Sequence, residues 1–177
     1  MRNKQKGFSL IELLIVVAII LIIAAIAIPN LMRARMAANT SSAAASQRTI
    51  VTGEISYFSA FPTIGYTSLA SLGGAIGAAC VPSSVTACLI DNNLANNGTP
   101  AGSGKSGYTF AVTDVTVAPS LIPNEFVTTG TALSLTTGTT AYCAIDDGVV
   151  RHVAAAAPSN VPVASYAACQ ALAPLAN

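Results

Sequence analysis

Along the chain the hydrophobic and polar positions fall into three regimes. Met1–Gly7 is short, polar and basic, and Phe8–Ile28 follows as 21 residues in which only Ser9 and Glu12 are not apolar. At about 1.5 Å of rise per residue, a helix of that length crosses a hydrocarbon core of about 30 Å. The second regime, Leu31 to about Ala60, is rich in Ala, Met, Arg and Gln with a single Gly, so the helix is predicted to continue. Pro29 should kink it rather than end it, and Pro62 marks its exit. Val51, Ile55 and Phe58 recur at helical spacing with Ile50 beside them, which predicts a stripe that packs on a sheet. Ala37–Ser46 offers a smooth face for other helices. A flexible linker is the competing reading there, because Asn39-Thr40-Ser41-Ser42 are poor helix formers.

The third regime alternates in the manner of strands. Residues 62–106 carry loop signals at Gly73-Gly74, Asn92-Asn93, Asn96-Asn97-Gly98 and Gly102-Ser103-Gly104, with a short helix expected near Leu89–Asn96. Tyr108–Val112 reads as a strand whose phase slips at Asp114, predicting a bulge or break before Val115 and Val117. Phe126–Leu135 and Thr139–Ile145 read as two more strands. Asp147-Gly148 reads as a tight turn into Val149–Val153. The expected class is α+β, one long helix against an antiparallel sheet of about four strands. The tail after Ala154 is expected to be a surface loop tethered only through Cys169.

Composition narrows the function. Hydrophobic residues make up 53% and charged residues 8%, against about 25% charged in an ordinary soluble domain. A chain of 177 residues holds one compact domain with little to spare. The net charge of +1 includes Arg2, Lys4 and Lys6. Beyond them five basic side chains face seven acidic ones, a net of −2. That leaves no basic stripe for nucleic acid. Basic residues before the apolar block and polar sequence after it place the N-terminus in the cytoplasm and the bulk outside.

Three readings of the apolar block compete. Ala25-Ile26-Ala27 mimics a secretory cleavage site, but the run is too long for a signal peptide and carries a carboxylate near its start. A plain signal anchor fits the length and gives no use for Glu12, an ionisable group that is costly in such a segment. The third reading rests on Lys6-Gly7-Phe8-Ser9-Leu10-Ile11-Glu12 followed by Leu13-Leu14-Ile15-Val16-Val17. This stretch resembles the processing site of type IV prepilins and type II secretion pseudopilins.

The resemblance covers about a sixth of the chain, through Asn30, and implies a pilin-like fold and a filament subunit. It implies cleavage between Gly7 and Phe8 by a membrane prepilin peptidase that also N-methylates Phe8. Glu12 would then neutralise the methylammonium of Phe8 on a neighbouring copy during assembly. Leu21 stands where many relatives carry a helix-weakening Gly, which leaves local melting there less supported. The implied organisation is a leader at 1–7, a helix over 8–61 with its membrane and assembly segment at 8–28, and a head over 62–177. Within the head, 62–106 is the loop region and 107–177 the sheet and tail. The implied partners are the peptidase, an inner-membrane assembly machinery, the membrane, copies of the chain and other pilins. The precursor would sit in a bacterial inner membrane. The subunit would end in an extracellular pilus serving adhesion, motility or DNA uptake, or alternatively in a periplasmic secretion pseudopilus. A signal-anchored periplasmic binding or catalytic domain is the remaining alternative.

Four cysteines, Cys80, Cys88, Cys143 and Cys169, lie beyond the apolar block. An even number there favours disulfides in an oxidising compartment, and no Cys-x-x-Cys spacing suggests zinc. Three pairings are open to four cysteines, and sequence alone does not select among them. The pairing preferred here is Cys80–Cys88, which would close a small loop, with Cys143–Cys169. Cys143–Cys169 would pin the tail to a strand, and resembles the C-terminal disulfide loop of many pilins.

No catalytic constellation emerges, and neither a cofactor nor a metal is expected. His152 reads as an exposed strand residue. Asp146-Asp147 is half a calcium site at most and first a turn. Gly102-Ser103-Gly104-Lys105-Ser106 imitates a phosphate loop without its first glycine at the required spacing. Tyr57, Phe58 and Phe61 form an aromatic group suited to core packing.

Overall fold

The computed structural model describes residues 8–74, 77, 79–153, 161–163 and 165–175. The chain divides between Arg35 and Met36 into two compact units. One helix, α1, runs Leu10–Ala60 with Pro29 inside it.

The first unit is the leading part of α1, and its side chains are almost all exposed. Leu10, Leu21 and Ile28 show 80%, 62% and 56% of their surface. Such a helix is long and apolar enough to cross a membrane.

In the second unit α1 turns an inner face to the head formed of Ala43, Ala44, Ser46, Gln47, Ile50, Val51, Gly53, Glu54 and Tyr57. Ala43, Gln47, Ile50, Glu54 and Tyr57 follow alternating steps of four and three, the spacing of one helix face. The stripe expected from apolar spacing differs from this. Ile55 is 44% exposed, and Phe58 is half-buried, stacked on Tyr66 at 4.8 Å between ring centres. The expected stripe missed its true direction because two core positions are polar. The flexible-linker reading of Ala37–Ser46 is overturned, since the stretch is helical and Ala43, Ala44 and Ser46 are buried.

Four strands form an antiparallel meander: β1 Tyr108–Val115, β2 Glu125–Ala132, β3 Tyr142–Ile145 and β4 Val150–His152, paired in that order. Tyr108, Phe110, Phe126 and Tyr142 face α1 in the main core. Gly130 lies opposite Phe110, and a Cβ there would come within 3.0 Å of the Phe110 ring. The missing side chain lets the ring lie over the strand.

Neither a bulge nor a break occurs at Asp114, and the strand ends at Val115, short of Val117. The β1–β2 register is unbroken from Tyr108↔Ala132 to Val115↔Glu125. Beyond Phe110 no side chain of the strand is fully buried, and Val112 is the last that packs against the main core, half-buried. Leu133–Leu135 is not strand. Thr137 Oγ1 accepts the Ser134 N–H at 3.1 Å and donates to the Gly107 carbonyl at 2.9 Å, folding the segment into a turn. β3 begins at Tyr142 rather than Thr139, and the Asp147-Gly148 turn leads into β4 as predicted.

Three short helices complete the head: α2 Leu69–Leu72, α3 Asn92–Ala95 and α4 Tyr166–Gln170. α3 is shorter than Leu89–Asn96 because the Leu89 and Ile90 N–H groups are taken by the Leu72 carbonyl. Asp91 then caps the helix through the N–H groups of Asn93 and Leu94. The tail is held by far more than Cys169. Val127, Cys143, Ile145 and Cys169 form a second core on the sheet's outer face, joined by Val163, Tyr166 and Leu172. The Leu175 N–H donates to the Val150 carbonyl at 2.8 Å, and Pro174 bridges Arg151 beside β4. Residues 154–160 of the expected surface loop lie outside the described residues.

Candidate functional site

Gly7 lies outside the described residues. Phe8 is 75% exposed ahead of the first turn of α1. Ser9 stands at the helix N-cap, and its backbone N–H donates to Glu12 Oε2 at 3.0 Å. Its carbonyl accepts the Leu13 N–H at 3.3 Å. Glu12, three positions into the helix, thus occupies the acidic place of a capping box and sets a negative charge against the helix N-terminus. Within one copy this carboxylate contacts its own helix start. It is the sole acidic residue of the exposed apolar stretch. A lone carboxylate on such a surface is unfavourable in a lipid or helix-packed setting unless a cation meets it.

Both disulfides take the preferred pairing. Cys80–Cys88 and Cys143–Cys169 each have Cα atoms 5.9 Å apart, and no described cysteine is free. Cys143 and Cys169 are fully buried in the outer-face core. The loops closed span 26 residues for Cys143–Cys169 and 8 for Cys80–Cys88. The chain-entropy relation gives about 3.5 kcal/mol for the longer loop and about 2.5 kcal/mol for the shorter. Cys143→Ser/Cys169→Ser is therefore expected to cost about 3.5 kcal/mol or more, since it also opens a buried cluster. Urea unfolding of the detergent-solubilised chain checks this. A loss smaller than that of Cys80→Ser/Cys88→Ser would contradict it.

Sequence reasoning missed the most unusual buried group. Glu54 is wholly inaccessible, with Oε2 accepting the Thr67 N–H at 3.2 Å and Oε1 unpartnered. Burial pushes its carboxyl up to about 8, the Thr67 N–H offsets part of this, and Asp114 adds to it. Seven residues earlier, buried Gln47 accepts the Thr128 hydroxyl at 2.9 Å and leaves Nε2 unpartnered. The seven-residue spacing of two polar residues among apolar neighbours was the available signal.

The remaining candidates resolve into structure. Arg151 bonds and ion-pairs with Asp147, holding its carboxyl below the usual range. Tyr166 donates its hydroxyl to Asp146, which raises the Tyr166 phenol. Each aspartate of the calcium candidate is thus engaged by a side chain. Among the described residues no group of three His, Cys, Asp or Glu side chains could hold a metal. His152 is half-buried on β4 opposite Tyr142, not exposed as expected, because the tail folds back along that strand. Lys105 pairs with Asp91 at 3.7 Å, and the Gly104 N–H is taken by the Asn97 carbonyl. The glycine-rich stretch is therefore a closed loop. Tyr57 is core, with its hydroxyl donating to the Ser84 carbonyl at 2.6 Å and its ring 4.9 Å from Phe61.

Residues 2–28 match the family described as the prokaryotic N-terminal methylation motif. The chain is 69% identical over 39 residues to the type IV wide pilus major component PilA4 of Thermus thermophilus, covering 22% of this chain and 29% of that one. It is 46% identical over 56 residues to the type IV major pilin protein PilA of Myxococcus xanthus, covering 32% of this chain and 26% of that one. The matched stretches thus span less than a third of either relative's length. No solved structure matches the chain.

Proposed function

We propose that this chain, whose N-terminal segment is that of the type IV prepilin family, is a structural subunit of a type IV pilus. The observation that carries the reading is the methylation motif over residues 2–28, with Glu12 inside it on an exposed apolar helix. An apolar surface of that extent needs covering. Lipid covers it in a precursor held in the inner membrane, and the same helix of other copies covers it in a filament. Pilus is favoured over secretion pseudopilus because both relatives carry pilus names.

In this reading residues 1–7 are a leader, 8–61 the stem and 62–177 the displayed head. A prepilin peptidase cuts after Gly7 and methylates Phe8, and an assembly machinery extracts the subunit from the membrane. The role is structural rather than catalytic. Adhesion, motility and DNA uptake are the activities open to such a filament.

The mature chain is expected to begin at N-methyl-Phe8. Intact-mass and N-terminal fragment spectra of the membrane or sheared-filament fraction check this, and a chain starting at Met1 or Ile28 would overturn it. Gly7→Leu is expected to leave uncut precursor and no filaments.

A further inference from the structure

The two disulfides of the head sit in opposite surroundings. Cys143 and Cys169 are wholly inaccessible, and a thiol in solution reaches them only when the outer-face cluster opens. Cys80 is exposed and Cys88 half-buried. Gly74 lies against Cys80, and a Cβ there would stand 2.8 Å from its sulfur. No side chain at that position screens the bond.

The two ends of the loop are held unequally. On the Cys88 side the Ala87 N–H donates to the Ser71 carbonyl at 2.7 Å, and the Leu89 and Ile90 N–H groups donate to the Leu72 carbonyl at 2.8 and 3.2 Å. These bonds tie the returning chain to α2 and flank Cys88, which stands at φ 59°, a left-handed conformation rare outside glycine. The Ser84 carbonyl accepts the Tyr57 hydroxyl at 2.6 Å, a further tie to α1. None of them runs through a sulfur. The Cys80 backbone makes no hydrogen bond among the described residues. Its arm meets the rest of the loop where Ser83 and Thr86 bond each other's backbone at 2.9 and 3.3 Å, and where Thr86 Oγ1 donates to the Val81 carbonyl. Cys88 is thus the fixed end and Cys80 the end able to depart.

We infer that Cys80–Cys88 is a thiol–disulfide exchange site on the folded head, opened and closed by a dithiol that attacks Cys80. The thiolate of the dithiol bonds to Cys80 Sγ, the Cys80–Cys88 bond breaks, and Cys88 leaves as a thiolate that takes up a proton. The second thiolate of the same molecule then attacks its own sulfur in the mixed disulfide and releases Cys80 as a thiol. Two electrons and two protons pass to the head, and the dithiol departs as a disulfide. The reverse sequence closes the loop. Attack falls on Cys80 because access decides which sulfur is reached. Opening frees the arm Cys80–Ser83 with Val81, which shows 74% of its surface, while the ties to α2 stay. The exchange therefore alters the head's surface without dismantling its core. The inference stands on the head alone, whichever assembly carries it.

Graded dithiothreitol acting on the detergent-solubilised full chain tests it, with acid quench, alkylation and peptide mass mapping. Cys80 and Cys88 are expected to be alkylated at least about a hundredfold faster than Cys143 and Cys169, because the buried pair must wait for its cluster to open. With glutathione, a monothiol, the trapped adduct should sit on Cys80. Hydrogen exchange of the selectively opened chain should show the Ser83 amide losing protection while those of Ala87, Leu89 and Ile90 keep theirs. Equal rates for the two pairs, or an adduct confined to Cys88, overturn the site. So does unchanged protection at Ser83, or loss of protection across the ties to α2.

Discussion

Glu12→Gln is expected to stop filament formation while leaving the head folded and the leader cleaved. Glutamine is the informative replacement because Glu12 does two things that can be separated. Its Oε2 caps the helix start by accepting the Ser9 N–H, and an amide oxygen performs that task equally well. Its negative charge is the part glutamine lacks. In the proposed filament each incoming subunit buries a methylammonium at Phe8 among apolar helices, and a charge buried there without its partner typically costs about 3–5 kcal/mol. At every docking step that amounts to a loss of roughly two to four orders of magnitude in affinity. In the same proposal cleavage depends on the Gly7–Phe8 junction and should continue. The head begins tens of residues away, and distant sites contribute independently to stability. Sheared filaments and membrane-held subunit are compared between wild type, Glu12→Gln and Glu12→Ala. Normal yield from Glu12→Gln, with loss only from Glu12→Ala, would make the residue a helix cap and no more. Weight would then move to the signal-anchored domain.

How much of this was legible depends on whether a residue's neighbours are local. The stem could be read directly, because Leu13–Ile28 is unbroken and length alone decides what an apolar helix can span. Glu12 stood out because a carboxylate beside such a run is costly. The meander was legible in outline from Tyr108, Phe126 and the Asp147-Gly148 turn. The expectations that failed were set by distant contacts. Ile55 has the right spacing for the core but points away from it, since Gln47 and Glu54 take the positions facing the sheet. A polar residue enters a core only where a specific partner waits, and Thr128 and Thr67 are 81 and 13 residues away from theirs. The tail was read as loose because Ala and Pro carry little pattern. It packs through Cys169, Val163 and Leu172 onto a second sheet face that the strand alternation did not expose.

The head is expected to lose stability as pH rises from about 5 to 9, and Glu54→Gln to remove that dependence. Glu54 is fully buried, and its carboxyl is raised from 4.5 to about 8, chiefly by burial. An acid that holds its proton more tightly when folded binds more protons in the native state than in the unfolded one throughout that interval. Stability must therefore fall with rising pH there. The contribution is fully present below about 4.5, the unfolded value, declines steadily above it, and is gone once pH passes about 8. The full difference corresponds to roughly 4–5 kcal/mol, a large share of a domain's usual 5–15 kcal/mol. Of the groups facing Glu54, Asp114 repels the carboxylate and Tyr66 is itself raised, while the Thr67 N–H alone favours the charge. Glutamine keeps an acceptor for Thr67 and cannot ionise. It should be near wild type at pH 5, slightly weakened by an amide without an acceptor, and clearly more stable than wild type at pH 9. Urea unfolding of the solubilised chain at pH 5, 7 and 9 decides the matter, with the variant subtracting whatever other groups contribute over that interval. Equal slopes in the two proteins would mean that the Glu54 carboxylate finds a compensating partner on ionising. The α1–sheet contact would then have to open enough to admit water.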